Sequence, residues 1–281
     1  MDVVDRRLIR IFRHGSRTYF WSSLFFPREV REDVFVLYSF VRKADDLVDV
    51  IPQRVREFEA FKDSYHAAME GAESGDVVID SFVSLMERRQ MDREWTDAFL
   101  QSMEMDLHRS SYETLAELDT YLYGSSEVIG LFMAKVLDLD PVSYPHARYL
   151  GKAMQYVNFI RDVAEDLSLS RSYFPQEELR AHGLSSLRPE EVAARPTEFK
   201  AFMHSQIDRY WEWQRVAEKG FRYIPKRSLI PIATASEMYK WTSRRIRTDP
   251  FIVYRQKVKP SIPRVVGGVV TNALRPVGHW A

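Results

Sequence analysis

Two groups of acidic residues have a spacing that places several carboxylates on one side of a helix. In the first group Tyr38, Arg42, Asp45 and Asp49 follow one another at offsets of 4, 7 and 11 residues. At about 100° per residue, all four fall within an arc of roughly 60°. The apolar residues of the segment occupy another face, as in a helix packed on a core: Val34, Leu37, Val41, Ala44 and Val48.

The second group repeats this pattern further along the chain. Gln155, Asn158, Asp162 and Asp166 have offsets of 3, 7 and 11 residues, which keeps them within an arc of roughly 80°. Apolar residues lie across from them: Ala153, Val157, Ile160, Ala164 and Leu167. A single acidic stripe usually faces solvent, and two unrelated solvated faces remain an alternative here.

If the two stripes face each other, they offer four carboxylates, two amides and nearby arginines to one cleft. Magnesium prefers carboxylate and water oxygens and commonly binds through one or two carboxylates together with substrate phosphate oxygens. Cations are needed in any case, because an uncompensated acidic cluster inside a bundle is costly. The pattern therefore predicts a magnesium site that takes a phosphate-bearing substrate.

The elements that must position these stripes are helices. Apolar residues recur at spacings of three to four through eight segments: Val30 to Val48, Phe58 to Met69, Val78 to Met86, Trp95 to Leu107, Leu115 to Leu137, Ala147 to Leu167, Phe199 to Phe221 and Leu229 to Ile246. Proline and glycine mark the breaks, and no long linker or fixed repeat interrupts the chain. We expect one all-α domain over residues 1–281, with a basic C-terminal tail from about residue 251.

Composition narrows the function classes. The chain has 281 residues, 45% of them hydrophobic, 40 basic against 40 acidic, and no cysteine, so disorder, a disulfide scaffold and thiolate chemistry are excluded. The N-terminus lacks the apolar run of a signal peptide, and no stretch approaches the roughly 20 apolar residues that span a bilayer. We therefore expect a cytoplasmic protein.

The sequences around both stripes resemble those of the squalene and phytoene synthase family, the head-to-head prenyl transferases. The segments that carry the resemblance are Tyr38-Ser39-Phe40-Val41-Arg42-Lys43-Ala44-Asp45-Asp46-Leu47-Val48-Asp49, Gln155-x-x-Asn158-x-x-Arg161-Asp162-x-x-Glu165-Asp166 and Arg171-Ser172-Tyr173-Phe174-Pro175. The likeness runs from about His14 to Lys259. It implies a single isoprenoid-synthase helical bundle with a central cavity, across which the two aspartate-rich helices face each other.

The resemblance also implies roles for individual residues. Asp45, Asp49, Asp162 and Asp166, with Asn158, would hold Mg²⁺, or Mn²⁺ in its place. The residues expected to support or contact the diphosphates are Arg42, Tyr38, Gln155, Arg161, Ser16, Thr18, Tyr19 and one of Arg255 and Lys257. Tyr173 and Tyr239 match tyrosines near the reacting carbons, although either could be a packed core aromatic.

One segment departs from the family pattern. Many members have Tyr-x-x-Val-Ala-Gly-x-Val-Gly where this chain has Tyr121-Leu122-Tyr123-Gly124-Ser125-Ser126-Glu127-Val128-Ile129-Gly130. Ser126 and Glu127 replace Ala and Gly beside the expected cavity. We expect them to shape the isoprenoid tunnel, with Glu127 either paired to an arginine or facing outward.

The activity implied by the resemblance is condensation of two geranylgeranyl diphosphates to phytoene through a cyclopropylcarbinyl diphosphate, without NADPH. Alternatives are dehydrosqualene or squalene synthesis from two farnesyl diphosphates, another terpenoid cyclase or chain elongator, and a non-catalytic scaffold or assembly relative. The four aspartates argue against the scaffold. A nucleic-acid module is disfavoured because no recognition motif accompanies the basic tail.

The end of the chain suggests a further partner. From Lys240 onward there are nine basic residues and one acid, Asp249. Apolar residues accompany the basic ones in the tail: Val265, Val266, Val269, Val270, Leu274 and Trp280. We therefore expect peripheral contact with an anionic membrane, unless the valines pack on the helical body. Gly267-Gly268 argues against one continuous amphipathic helix there.

Overall fold

The computed structural model describes residues 5–15 and 17–275, with the side chains of residues 17–19 excepted. This part of the chain is helical and contains no strand, which confirms the all-α class. The α-helices are α1 (Arg6–Gly15), α2 (Arg17–Ser23), α3 (Arg28–Val48), α4 (Val55–Met69), α5 (Val77–Arg89), α6 (Arg93–His108), α7 (Leu115–Leu122), α8 (Val128–Val136), α9 (Tyr144–Arg161), α10 (Val163–Ser168), α11 (Gln176–Ala181), α12 (Pro189–Ala194), α13 (Pro196–Glu218), α14 (Lys226–Thr248), α15 (Ile252–Arg255) and α16 (Ile262–Leu274).

Each of the eight periodic segments is helical, but two are divided where the sequence predicted continuity. The segment from Leu115 to Leu137 contains a π-helical turn, Tyr123–Glu127, between α7 and α8. The segment from Ala147 to Leu167 breaks at Asp162, whose backbone (φ −100°, ψ 17°) leaves the helical region between α9 and α10. A single residue of altered backbone leaves the apolar period almost unchanged, so periodicity does not detect it.

The core consists of two large apolar clusters. One lies mainly among α1, α3, α4, α5, α6 and α8, and the other mainly among α7, α9, α13 and their short neighbours. Helix α9 packs against α8, α13 and α14 and so joins the two clusters. Its approach to the π-helical turn depends on Gly151, where a Cβ atom would lie 2.1 Å from the carbonyl oxygen of Ser126. This close backbone contact fixes α9 against the π-helical turn, at the boundary between the two clusters.

A cavity of about 340 Å³ opens between these elements. Its walls come from α2, α3, the π-helical turn, α8, α9, α14 and the 3₁₀ turn Lys219–Tyr223. One end lies beside Tyr38, Gln155 and Asn158, and the wall extends along α9 to His146 and Ser143. Among residues 5–15 and 17–275, no helix combines the length and apolar composition needed to cross a bilayer.

Candidate functional site

The first acidic stripe occupies the last turns of α3. Arg42 Nη1 lies 3.0 Å from Asp45 Oδ2, and the same guanidinium pairs with Asp46. Asp49 follows the helix as its C-cap residue, with its backbone N–H donating to the carbonyl of Asp45. Burial, followed by the neighbouring charge of Asp49, raises the pKa of Asp45 to about 8. Arg42 compensates only part of the negative charge here.

The second stripe spans the break between α9 and α10. Asp162 sits at the break, where Arg161 Nε donates to its Oδ1 at 2.8 Å, while Asp166 lies one turn further on α10. Gln155 and Asn158 line the cavity. Asn158 Oδ1 is buried without a hydrogen-bond partner among the described residues. An amide oxygen in that state needs a donor or a cation.

The two stripes act on each other electrostatically. Burial is the main cause that raises the pKa of Asp166 well above its ordinary value, and the charges of Asp162 on its own stripe and Asp49 on the other add to it. Asp49 can exert this effect only if the two stripes are near neighbours. This proximity favours one shared cleft over two unrelated solvated faces.

The donor set of this cleft suits a hard divalent cation. It consists of carboxylate oxygens and an amide oxygen, as Mg²⁺ prefers, with the unpartnered Asn158 Oδ1 among them. No three acidic or histidine side chains of the described residues converge closely enough to surround an ion as they stand. Instead, basic side chains pair with these carboxylates: Arg42 with Asp45, Arg171 with Asp49, and both Arg161 and Lys257 with Asp162. Binding of metal with an anionic substrate would require these pairs to be exchanged.

Two of the predicted tyrosines border the same cleft. Tyr38 stacks on Phe12, with ring centroids 3.9 Å apart. Burial raises the pKa of Tyr38, and Asp45 and Tyr239 raise it further, so both lie near its hydroxyl. Tyr239 is itself buried on α14. The Tyr38 phenol therefore remains a protonated donor at neutral pH.

A buried network that sequence analysis missed supports the cleft from behind. Asp106, at the end of α6, accepts hydrogen bonds from Tyr121 and Tyr173, each at 2.8 Å. Arg171 Nη1 reaches Asp49 Oδ1 at 2.6 Å, and Nη2 donates to the carbonyls of Val48 (2.7 Å) and Asp106 (3.1 Å). Burial raises the pKa of Asp106 to about 6, opposed by Arg171 and the two phenols. Arg171 thereby fixes the end of α3 that carries Asp49.

The sequence does contain a signal for Asp106. Thr96, Phe99, Met103 and Asp106 are all buried on α6, and their spacing puts them within roughly 80° of arc. Helical periodicity places apolar residues at this position, and burying a carboxylate there costs free energy unless the carboxylate is paired. No local pattern identifies its partners, because Tyr121 and Tyr173 come from distant segments.

The remaining predicted residues are two basic candidates late in the chain and three hydroxyl-bearing residues near its start. Lys257 Nζ lies 3.3 Å from Asp162 Oδ1 and also pairs with Glu165. Arg255 pairs instead with Asp249, so the geometry favours Lys257 as the late basic residue. Ser16 and the side chains of Thr18 and Tyr19 lie outside the described residues.

The segment that departs from the family pattern forms the π-helical turn. Ser125 and Ser126 line the cavity, whereas Glu127 is buried behind that wall. Its Oε2 lies 2.8 Å from Arg148 Nη2, and its Oε1 lies 3.4 Å from Lys152 Nζ. Of the two alternatives for Glu127, pairing with an arginine is the one observed. The carboxylate secures the π-helical turn to α9 from outside the cavity.

Comparison with known proteins places this architecture in a family. Residues 12–265 match the family model described as squalene/phytoene synthase. The chain belongs to the squalene/phytoene synthase family. The resemblance inferred from the two acidic motifs is thus confirmed, and the protein is a prenyltransferase.

Several members of this family named phytoene synthase are similar over most of their length. The 15-cis-phytoene synthase of a Synechocystis species is 27% identical over 265 residues, which cover 89% of this chain and 78% of that protein. The 15-cis-phytoene synthase of a Paracoccus species is 27% identical over 277 residues, covering 95% and 88%.

Solved structures share the fold at lower identity. A dehydrosqualene synthase in complex with a ligand superposes with a TM-score of 0.80 at 20% identity, covering 95% of this chain and 94% of that one. A squalene synthase from Alicyclobacillus acidocaldarius gives a TM-score of 0.77 at 20% identity, covering 88% and 94%. These structures establish the isoprenoid-synthase helical fold.

The Arg171 network generates a stability prediction. We expect Arg171→Met to lower the free energy of unfolding by about 3–5 kcal/mol, because it removes the cation 4.0 Å from the buried Asp106 carboxylate and one of the two donors to the carbonyls of Val48 and Asp106. Urea unfolding followed by circular dichroism measures this. Arg180→Met is the matched control, since it breaks an exposed pair with Glu113 and should cost less than about 1 kcal/mol. Equal losses in the two variants would show that Arg171 is not the brace described here.

Proposed function

We propose that this prenyltransferase condenses two geranylgeranyl diphosphates head to head, through a cyclopropylcarbinyl diphosphate, to phytoene, with release of diphosphate. The main support is that the acidic cleft adjoins the apolar cavity. Tyr38, Gln155 and Asn158 belong to the two acidic stripes and also line the cavity. A substrate with a diphosphate at one end and a long hydrocarbon at the other matches this division. The relatives named phytoene synthase support the choice of product.

The dimensions of the cavity support the longer substrate. Its wall on α9 runs from Asn158 to His146, twelve residues or about 18 Å of helix. This length is comparable with that of an extended twenty-carbon prenyl chain. At the far end, the imidazole of His146 is held by a hydrogen bond from Nδ1 to the carbonyl of Val216, 2.9 Å away.

The residues of the cleft would hold the diphosphates and any metal. Asp45, Asp49, Asp162 and Asp166, with Asn158 Oδ1, are proposed to hold Mg²⁺, which would supply positive charge to the departing diphosphate. Mn²⁺ has similar ligand preferences. Arg42, Arg161 and Lys257 already surround these carboxylates. Their guanidinium and ammonium groups can turn to diphosphate oxygens when the carboxylates bind metal.

The cavity itself would protect the allylic cation. Water would trap such a cation as an alcohol, so an apolar wall is required. Aromatic side chains at the wall can stabilise positive charge through their π faces. Those that line the cavity include Phe12, Phe26, Tyr38 and Phe221. Proton loss then gives a hydrocarbon without a reductant, and we propose that NADPH is not used.

Two alternatives remain distinct proposals. Dehydrosqualene or squalene synthesis from farnesyl diphosphate would use the same cleft and a shorter part of the cavity. Structural neighbours with those names share the fold at 20% identity. A non-catalytic scaffold does not require the four carboxylates, which are all present around the cleft.

Three broader expectations accompany the proposed reaction. We propose that residues 1–281 form one isoprenoid-synthase domain, because α9 joins the two core clusters. We propose a cytoplasmic location with peripheral membrane contact, and no role for nucleic acid. The segment expected to be a basic tail is in part an ordered helix, α16, that packs on α14 and α2.

Replacing metal-site carboxylates tests the chemistry. We expect Asp45→Asn or Asp162→Asn to lower kcat by about a thousandfold or more, because each removes a charged ligand of the metal and diphosphate. Burial already disfavours the charged form of Asp45, so its neutral replacement should not lower Tm. Steady-state kinetics and thermal melts measure the two effects.

Asp208→Asn is the matched control for these two variants. It removes an exposed carboxylate that pairs with Arg247, and it should leave kcat unchanged. If Asp45→Asn and Asp162→Asn also turned over at the wild-type rate with limiting magnesium, the assigned metal site would be wrong.

A product assay tests the substrate and the absence of a reductant. Purified protein is incubated with Mg²⁺ and either farnesyl or geranylgeranyl diphosphate, with and without NADPH, and the hydrocarbon is identified by mass spectrometry. We expect phytoene from the twenty-carbon substrate in both conditions. Turnover of farnesyl diphosphate alone would assign dehydrosqualene synthesis, and a strict requirement for NADPH would assign squalene synthesis.

A further inference from the structure

One face of α16 carries an apolar stripe that the described part of the chain leaves largely exposed. Ile262, Val266, Val270 and Leu274 follow one another at intervals of four residues, and their exposed fractions are 47%, 44%, 54% and 79%. Twelve residues of helix separate the first from the last, so the stripe is about 18 Å long. Exposed apolar residues are ordinarily scattered, and a continuous row of this length indicates a contact surface.

The helix that carries this stripe is held firmly to the protein. Val265 and Val269 are buried on its inner face. Asn272 Nδ2 donates to Thr234 Oγ1 of α14 at 3.0 Å, and Arg275 pairs with Glu237 at 3.2 Å. Gly268 allows the close approach, since a Cβ atom there would lie 3.2 Å from Thr234 Cγ2. The inner face is therefore committed to α14, and the stripe is a second face that the described residues leave largely exposed.

The sequence argued against a continuous helix at Gly267-Gly268, and this prediction was wrong. Gly268 fits against α14, and a Cβ atom at Gly267 would have nothing within 4 Å. The packing of the inner face outweighs the low helix propensity of two glycines.

The neighbouring helix α2 extends the apolar surface. It packs against α16, and Trp21 and Phe25, on and just after α2, are 41% and 45% exposed. The same short segment contributes Ser22, Ser23 and Phe26 to the wall of the cavity. One side of α2 thus faces the hydrocarbon cavity, and its other side continues the exposed surface.

Basic residues predominate beside this surface. No acidic residue follows Asp249 in the sequence. Beside the start of α16, a notch of about 260 Å³ is lined by Arg245, Lys257, Lys259 and Arg264 together with Trp241, and its lining contains no acid. Arg245, Lys259 and Arg264 have no ion pair within residues 5–15 and 17–275. Cations next to an apolar stripe match a surface with anionic headgroups over hydrocarbon.

We propose that α16 and α2 dock this enzyme on an anionic lipid bilayer, with the stripe at the acyl boundary and the basic notch at the phosphates. A bilayer accounts for the apolar row and the basic notch together. It also gives an insoluble hydrocarbon a place to go beside the α2 wall of the cavity, an argument that rests on the proposed function.

Vesicle sedimentation with the full chain tests this surface. The probe is extruded vesicles of phosphatidylcholine with or without phosphatidylglycerol. We expect binding to the anionic vesicles that weakens with salt, and Val266→Glu combined with Val270→Glu should reduce the partition coefficient by about tenfold or more. Val142→Glu is the matched control, because Val142 is an exposed valine on another surface and its replacement should leave binding unchanged.

The outcomes separate this proposal from its rivals. Wild-type binding by the double variant would overturn it. So would a concentration-dependent dimer, seen by light scattering, that the double variant abolishes while neither protein binds vesicles, since the stripe would then contact a second copy. Thermal melts exclude misfolding of the variant. Sedimentation needs no turnover, so its failure is distinguishable from failure of the proposed reaction.

Discussion

The structure depends on concentrating negative charge in one cleft. Four carboxylates from α3 and from the junction of α9 and α10 share this space. Burial raises the pKa values of Asp45 and Asp166, and the charge of Asp49 raises both further. Carboxylates in such a position must be paired or neutralised. Arg42, Arg161, Arg171 and Lys257 provide this pairing for Asp45, Asp49 and Asp162. The proposed binding of a metal and an anionic substrate would exchange these ion pairs.

The same constraint explains how the molecule is divided. Charged groups are gathered at one end of the cavity, and the walls of α3, α8 and α14 are mostly apolar. Asp106 lies behind the cleft as a buried acid that is tolerated because two phenols and Arg171 satisfy it. That network joins α6 to Tyr121 of α7 and to the segment after α10. It fixes Asp49 without occupying the cavity.

Much of this arrangement was predictable from sequence, because helical periodicity records which face of a helix is buried. Both stripes and eight helical segments follow from it. The break at Asp162 and the π-helical turn at Tyr123–Glu127 do not, since each alters the backbone of only a few residues. The partners of Asp106 and the fit of Gly268 against α14 depend on contacts between distant segments. The surroundings of individual aromatics also depend on such contacts: Phe40 is stacked on Phe82 in the core, Trp21 and Phe25 are exposed, and Phe26 lines the cavity.

We propose that both stripes bind one metal and diphosphate assembly. The most direct test is a crystal structure with an unreactive prenyl thiodiphosphate and Mn²⁺, with anomalous diffraction measured at the manganese edge. We expect anomalous peaks in the cleft, within ligand distance of Asp45 or Asp49 on one side and of Asp162 or Asp166 on the other, with the thiodiphosphate bridging them. Manganese bound by one stripe alone, or a diphosphate held by Arg42, Arg161 and Lys257 without metal, would contradict it.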